Sequence, residues 1–161
     1  MDEHRKLHEF FMRSAITLAE VGLFRGDGGP FGCIITRGER VVGSGTNQVT
    51  STNDPTAHAE VVAIRSACQT LGTFALHGCV LYSTCEPCPM CFAAAHWARV
   101  EAIWFGSSRD DAAAIGFDDA LLYQQIALPN TERALPMHQI LRDEAQRPFA
   151  AWQAMPDKTP Y

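Results

Sequence analysis

The sequence predicts an α/β layered domain, with helices on both faces of one central sheet of about five strands. Three observations lead there. Segments of helical period alternate with short apolar, strand-like runs. The 161 residues suit one domain of ordinary size with room for a core. Two chemistry-bearing segments each open a helix directly after a strand or irregular stretch, the place where ligands of open α/β sheets collect.

Residues 3–22 space Leu7, Phe10, Phe11, Ala15, Leu18 and Ala19 for one buried helical face, ending near Gly22. Arg25-Gly26-Asp27-Gly28-Gly29-Pro30 is a turn-rich loop before a strand at 31–36. Arg37-Gly38-Glu39-Arg40 turns the chain into a second strand, 41–46. Its glycines at 43 and 45 suit an edge strand or a close ligand approach. Residues 47–56 are irregular, and Asp54 or Thr56 can cap a helix over 57–71. A buried strand at 79–83, a helix at 88–98 and a strand at 100–105 follow. Then come a loop (106–111), a helix at 120–126, a last strand at 135–141 and a helix at 143–155. No internal repeat, low-complexity segment or linker interrupts residues 1–161, which read as a single domain.

Hydrophobic residues make up 47% of the chain and charged ones 19%, a composition that excludes global disorder. The formal charge of −5 and the lack of a Lys/Arg run argue against a large nucleic-acid footprint. The charged residues 1–6 are unlike a secretory signal, and no apolar run is long enough to span a membrane. Six cysteines without such a signal point to a reducing cytoplasm, with Cys33, Cys68 and Cys79 as small core residues.

The chemistry concentrates in Cys85-Glu86-Pro87-Cys88-Pro89-Met90-Cys91 and His58-Ala59-Glu60. Imidazole and two thiolates are zinc donors, and a catalytic zinc site keeps one position open. Two C-x-x-C pairs are available. Pro87 and Pro89 mark a helix entry, which puts Cys88 and Cys91 in its first turn and leaves Cys85 on the incoming loop. The helix dipole there favours thiolate. His58, Cys88 and Cys91 are therefore the expected ligands of one Zn²⁺, and Glu60 is the general acid/base. The bland alternative, a structural zinc knuckle or redox pair, has no use for Glu60. H-x-E followed by P-C-x-x-C is the established pattern of zinc nucleobase deaminases.

With these residues in view, the chain resembles the bacterial guanine deaminases of the cytidine-deaminase-like, three-layer α/β/α fold with a mixed sheet. The similarity runs along nearly the whole sequence. It includes Gly28-Gly29-Pro30-Phe31-Gly32, Ser51-Thr52-Asn53-Asp54-Pro55-Thr56-Ala57-His58-Ala59-Glu60, residues 85–91, Trp97-Ala98-Arg99, Gly116-Phe117-Asp118-Asp119 and the C-terminal Tyr161. The zinc pattern specifies only the superfamily, whereas Gly-Phe-Asp-Asp and the terminal tyrosine narrow it to the guanine branch. The resemblance implies Glu60 and Asp119 as catalytic residues, with Asn47, Phe31, Trp97, Tyr161 and Ala59 binding the base. It also implies a homodimer that exchanges a C-terminal segment, about 143–161, so that Tyr161 can complete the partner's pocket.

The expected reaction is hydrolysis of guanine at C2 to xanthine and ammonia, Glu60 moving one proton from water to ring N3 and a second proton later to the departing amine. Asp119 would accept guanine's N–H groups, and adenine presents an acceptor there instead. Structural readings stand beside these: Asp119 as a helix cap, Phe31 and Trp97 as core, Asn47 as a loop-stabilising turn residue. The rival functions are deamination of guanosine, cytosine or tRNA adenosine, and a non-catalytic zinc module.

Overall fold

A computed structural model describes residues 3–161. Two compact units divide the chain, Met1–Asp119 and Ala120–Tyr161. In the first, α1 (Glu3–Arg25) precedes the hairpin β1 (Gly32–Arg37) and β2 (Arg40–Thr46). A short α2 (Val49–Thr52), then α3 (Ala59–Leu71), β3 (Cys79–Cys85), α4 (Pro89–Trp97), β4 (Ala102–Ser107) and α5 (Arg109–Ala114) complete it. The second unit holds α6 (Ala120–Ala127), a 3-10 turn (Asn130–Glu132) and α7 (Arg142–Ala154). No helix among the described residues is long and apolar enough to cross a membrane.

The sheet is mixed, in the order β2-β1-β3-β4. β1 pairs antiparallel with β2 and with β3, and β3 pairs parallel with β4. It has four strands where the sequence suggested about five. Residues 135–141 form no strand. Pro136 cannot donate to a ladder, and apolar content alone does not supply a pairing partner.

Side chains alternate across the strands and divide the core in two. Cys33, Ile35, Cys79 and Leu81 join Ala59, Ala63, Ala67 and Ala95 in one buried cluster, which places α3 and α4 on this face. Gly32 points the other way, where a Cβ would run into Ala15 and Ala19 of α1. Helices thus cover both faces. The glycines of β2 serve the first of them: a Cβ on Gly43 would lie 2.5 Å from the Ala63 carbonyl oxygen, and one on Gly45 would strike the α3 backbone at Ala59 and Ala63. The close approach that these glycines permit is therefore to a helix, on a strand at the sheet edge.

Several boundaries differ from the sequence reading. α1 runs three residues beyond Gly22, to Arg25. α3 begins at Ala59 with His58 at its N-cap. Asp54 instead closes its own turn, accepting from the Thr56 amide at 2.8 Å and hydroxyl at 2.7 Å. Cys85 is the last residue of β3 rather than part of a loop. Ser108 and Asp111 form a capping box that starts α5 within the expected loop. Pro148 lies inside α7, which begins earlier than expected, at Arg142.

Candidate metal centre and base pocket

Two helix starts converge beyond the carboxyl end of β3. His58 is the N-cap of α3, Cys88 is the N-cap of α4, and Cys91 lies in the first turn of α4. Pro89 occupies the N1 position, where its missing amide costs nothing. Neither His58 nor Cys88 caps its helix through a side-chain hydrogen bond. A serine or aspartate there would contribute about 1 kcal/mol as a cap. Both positions give up that stabilisation and turn their side chains toward each other.

The donor atoms of His58, Cys88 and Cys91 all lie within 4.8 Å of one another. Nδ1 of His58 is 3.6 Å from Sγ of Cys88 and 3.6 Å from Sγ of Cys91. Tetrahedral zinc, with Zn–S of about 2.3 Å and Zn–N of about 2.0–2.1 Å, sets its nitrogen and sulfur donors about 3.6 Å apart. The spacing fits that ion. Charge points the same way. The neighbouring Cys91 thiol, and then His58, pull the Cys88 pKa down to about 4. The Cys88 sulfur, burial and Glu60 push Cys91 far up. One sulfur is thus readily ionised, and a second negative charge beside it needs a cation.

The same geometry separates the two C-x-x-C pairs. Cys85 is buried, its Sγ donates to the Ser108 carbonyl at 3.6 Å, and burial with Glu60 nearby raises its pKa to about 11. It remains a thiol outside the donor group.

Glu60 is 7% exposed, in the first turn of α3. The Ser83 hydroxyl donates to its Oε1 at 3.0 Å. Burial holds its carboxyl above the ordinary range, as suits a group that must take up and release a proton near neutral pH. Among the described residues it lies outside the three-residue donor group. Ser83 had drawn no attention in the sequence, although its alternation with Cys79 and Leu81 puts it on the α3 face.

Asn47 is buried, and its two ends do different work. Its Oδ1 accepts from the backbone amides of Gly29 and Val49, each at 3.2 Å, and its backbone N–H donates to the Phe31 carbonyl at 3.0 Å. The oxygen end fastens two loops. This use of the oxygen end is compatible with a base-reading role for the side-chain NH₂. Gly28 is required here, because a Cβ would collide with the Asn47 side chain.

Phe31 is half-buried and meets Phe117 edge-to-face, with centroids 4.9 Å apart. That contact ties the Gly116-Phe117-Asp118-Asp119 segment to the β1 entrance. Asp119 is half-buried, and burial, followed by the charge of Cys88, raises its carboxyl pKa against the pull of Arg109. The shift puts Asp119 within electrostatic reach of the metal centre. Ala59 is sealed from solvent. Trp97 ends α4 with 64% of its surface exposed, and Arg99, at φ +58°, donates to its carbonyl at 2.7 Å. Tyr161 belongs to the second unit and is 72% exposed.

The family model for the cytidine and deoxycytidylate deaminase zinc-binding region matches residues 5–107. The chain is 47% identical to guanine deaminase of Bacillus subtilis over 154 residues, covering 96% of this chain and 99% of the relative. The crystal structure of that enzyme superposes with a TM-score of 0.93 over 96% of this chain and 98% of the other. A solved structure in complex with 2,6-diaminopurine is 33% identical, with a TM-score of 0.67 over 70% of this chain and 62% of that one. The tRNA-specific adenosine deaminase of Aquifex aeolicus is 39% identical over 99 residues, 62% of this chain and 65% of the relative.

Proposed function

We propose, from the premise that this chain belongs to the guanine deaminase branch of the cytidine and deoxycytidylate deaminase zinc-binding family, that it hydrolyses guanine to xanthine and ammonia. The observation that carries the reading is a three-residue donor group at zinc spacing, with a buried carboxylate beside it that is not part of the group. A closed structural site would have taken a fourth protein donor.

His58, Cys88 and Cys91 are the residues that would hold one Zn²⁺ per subunit. When bound, the ion supplies the Lewis acidity that brings water to ionise near neutral pH. Glu60 receives one water proton and delivers it to N3 as oxygen adds to C2, then takes the proton of the new C2 hydroxyl and passes it to the exocyclic nitrogen as the C2–N2 bond breaks and the C2 carbonyl forms. The Ser83 hydroxyl orients the carboxylate by donating to its Oε1. The NH₂ of Asn47 donates to an acceptor edge of the purine. Asp119 accepts N–H donors that guanine has and adenine lacks. Phe31 and Trp97 line the flat faces, and Ala59 contributes its backbone at the start of α3.

The homodimer, with the segment of about 143–161 exchanged and Tyr161 closing the partner's pocket, belongs to the same reading. Phe149 and Trp152 on α7 are exposed apolar residues of the kind a partner covers. Six free cysteines agree with a reducing cytoplasm, and a formal charge of −5 with a small free base rather than a nucleic acid.

Ammonia release from guanine, guanosine, cytosine, adenine and 2,6-diaminopurine tests the assignment. Guanine is expected to give the highest kcat/KM. A preference for guanosine or cytosine would overturn the guanine reading and keep the deaminase. Deleting residues 156–161 is expected to lower guanine turnover by at least about tenfold through lost positioning, with the thermal midpoint within a few degrees of the intact chain. Unchanged turnover would remove Tyr161 from the pocket.

A further inference from the structure

Away from the zinc centre, the first turns of α1 carry two imidazoles on one side. Nε2 of His8 faces Nδ1 of His4 at 3.1 Å. On its other side, Nδ1 of His8 meets the Tyr82 hydroxyl at 2.8 Å, and Tyr82 is fixed in β3 at 2% exposure. The His8 ring also stacks on Trp104 of β4, with centroids 4.1 Å apart and planes inclined by 22°. These contacts hold the ring before any ligand arrives.

Two ring nitrogens that face each other at this distance share either a proton or a cation. With bonds of about 2.0–2.1 Å and angles between square-planar and tetrahedral, two imidazoles on one divalent ion sit about 2.8–3.4 Å apart. The four-residue spacing is the one with which H-x-x-x-H helices grip zinc. A ligand role for Nε2 of His8 requires the proton on Nδ1, and the Tyr82 oxygen is placed to accept it. Burial, and then the neighbouring His4, lower the His8 pKa, which favours the neutral, ligating ring. His4 is exposed on the first turn of α1.

We propose that His4 and His8 form a second metal site, a surface chelate for borderline divalent ions such as Zn²⁺ or Ni²⁺, buttressed by Tyr82 and reported by Trp104. It is independent of the deaminase reading. The test is equilibrium dialysis of the zinc-loaded protein against micromolar Ni²⁺, with zinc content and tryptophan fluorescence followed in parallel. One Ni²⁺ per chain is expected to bind with no loss of zinc and to quench fluorescence. His4→Gln, on the exposed side, is expected to weaken binding at least about tenfold, and Trp104→Phe to retain binding but lose most of the quenching. The proposal is overturned by no extra Ni²⁺, by uptake matched by zinc release, by undiminished binding in His4→Gln, or by quenching that survives Trp104→Phe.

Discussion

Glu60→Gln is expected to retain one zinc per chain and to lose guanine turnover by a factor of about 10²–10⁴, the range over which a positioned acid/base group contributes. The substitution keeps the size of the side chain and leaves an amide oxygen for the Ser83 hydroxyl. It removes the negative charge and the capacity to carry a proton. Because Glu60 lies outside the donor group, metal content separates this outcome from damage to the zinc centre. Zinc analysis with single-turnover kinetics on guanine checks it. Wild-type turnover in a zinc-replete variant would contradict the proton-shuttle role, and loss of zinc would reveal a ligand.

Asp119→Asn should lower kcat/KM for guanine by about 10²-fold or more while leaving the thermal midpoint near that of the parent. An amide turns a donor toward guanine's N–H groups where the carboxylate accepted, and unpaired donors in a desolvated pocket carry such penalties. The raised Asp119 pKa, from burial and the charge of Cys88, sharpens the expectation. Folded-state stability tied to its ionisation is smaller than for a paired carboxylate, so the loss should appear in catalysis. Unchanged efficiency would remove Asp119 from base recognition.

The zinc donors were legible because their chemistry is local. Softness, a three-residue spacing and a proline-marked helix entry identify Cys88 and Cys91, and the contact of Cys85 with the Ser108 carbonyl agrees with its exclusion. The alternation of helices and strands was legible for the same reason. What escaped were pairings between distant segments. Ser83 reaches Glu60 across 23 residues of chain, and nothing near either position announces the bond. Residues 135–141 have strand-like composition, but a strand exists only where a neighbour offers its edge. Asp54 and Thr56 resemble helix caps, yet they satisfy each other, and the capping position falls to His58. Asn47 invited a choice between turn residue and base reader. Only its hydrogen bonds reveal that its oxygen does the first, and base reading is the role proposed for its NH₂.

The account rests on a zinc ion held by three protein side chains, with its remaining position left to solvent and substrate. X-ray absorption at the zinc edge of the zinc-loaded protein measures this most directly. The expected spectrum has two sulfur neighbours at about 2.3 Å and two light-atom neighbours at about 2.0–2.1 Å, only one of them imidazole. A third sulfur, which would be Cys85, or a second imidazole would mean a closed site and contradict the hydrolytic function.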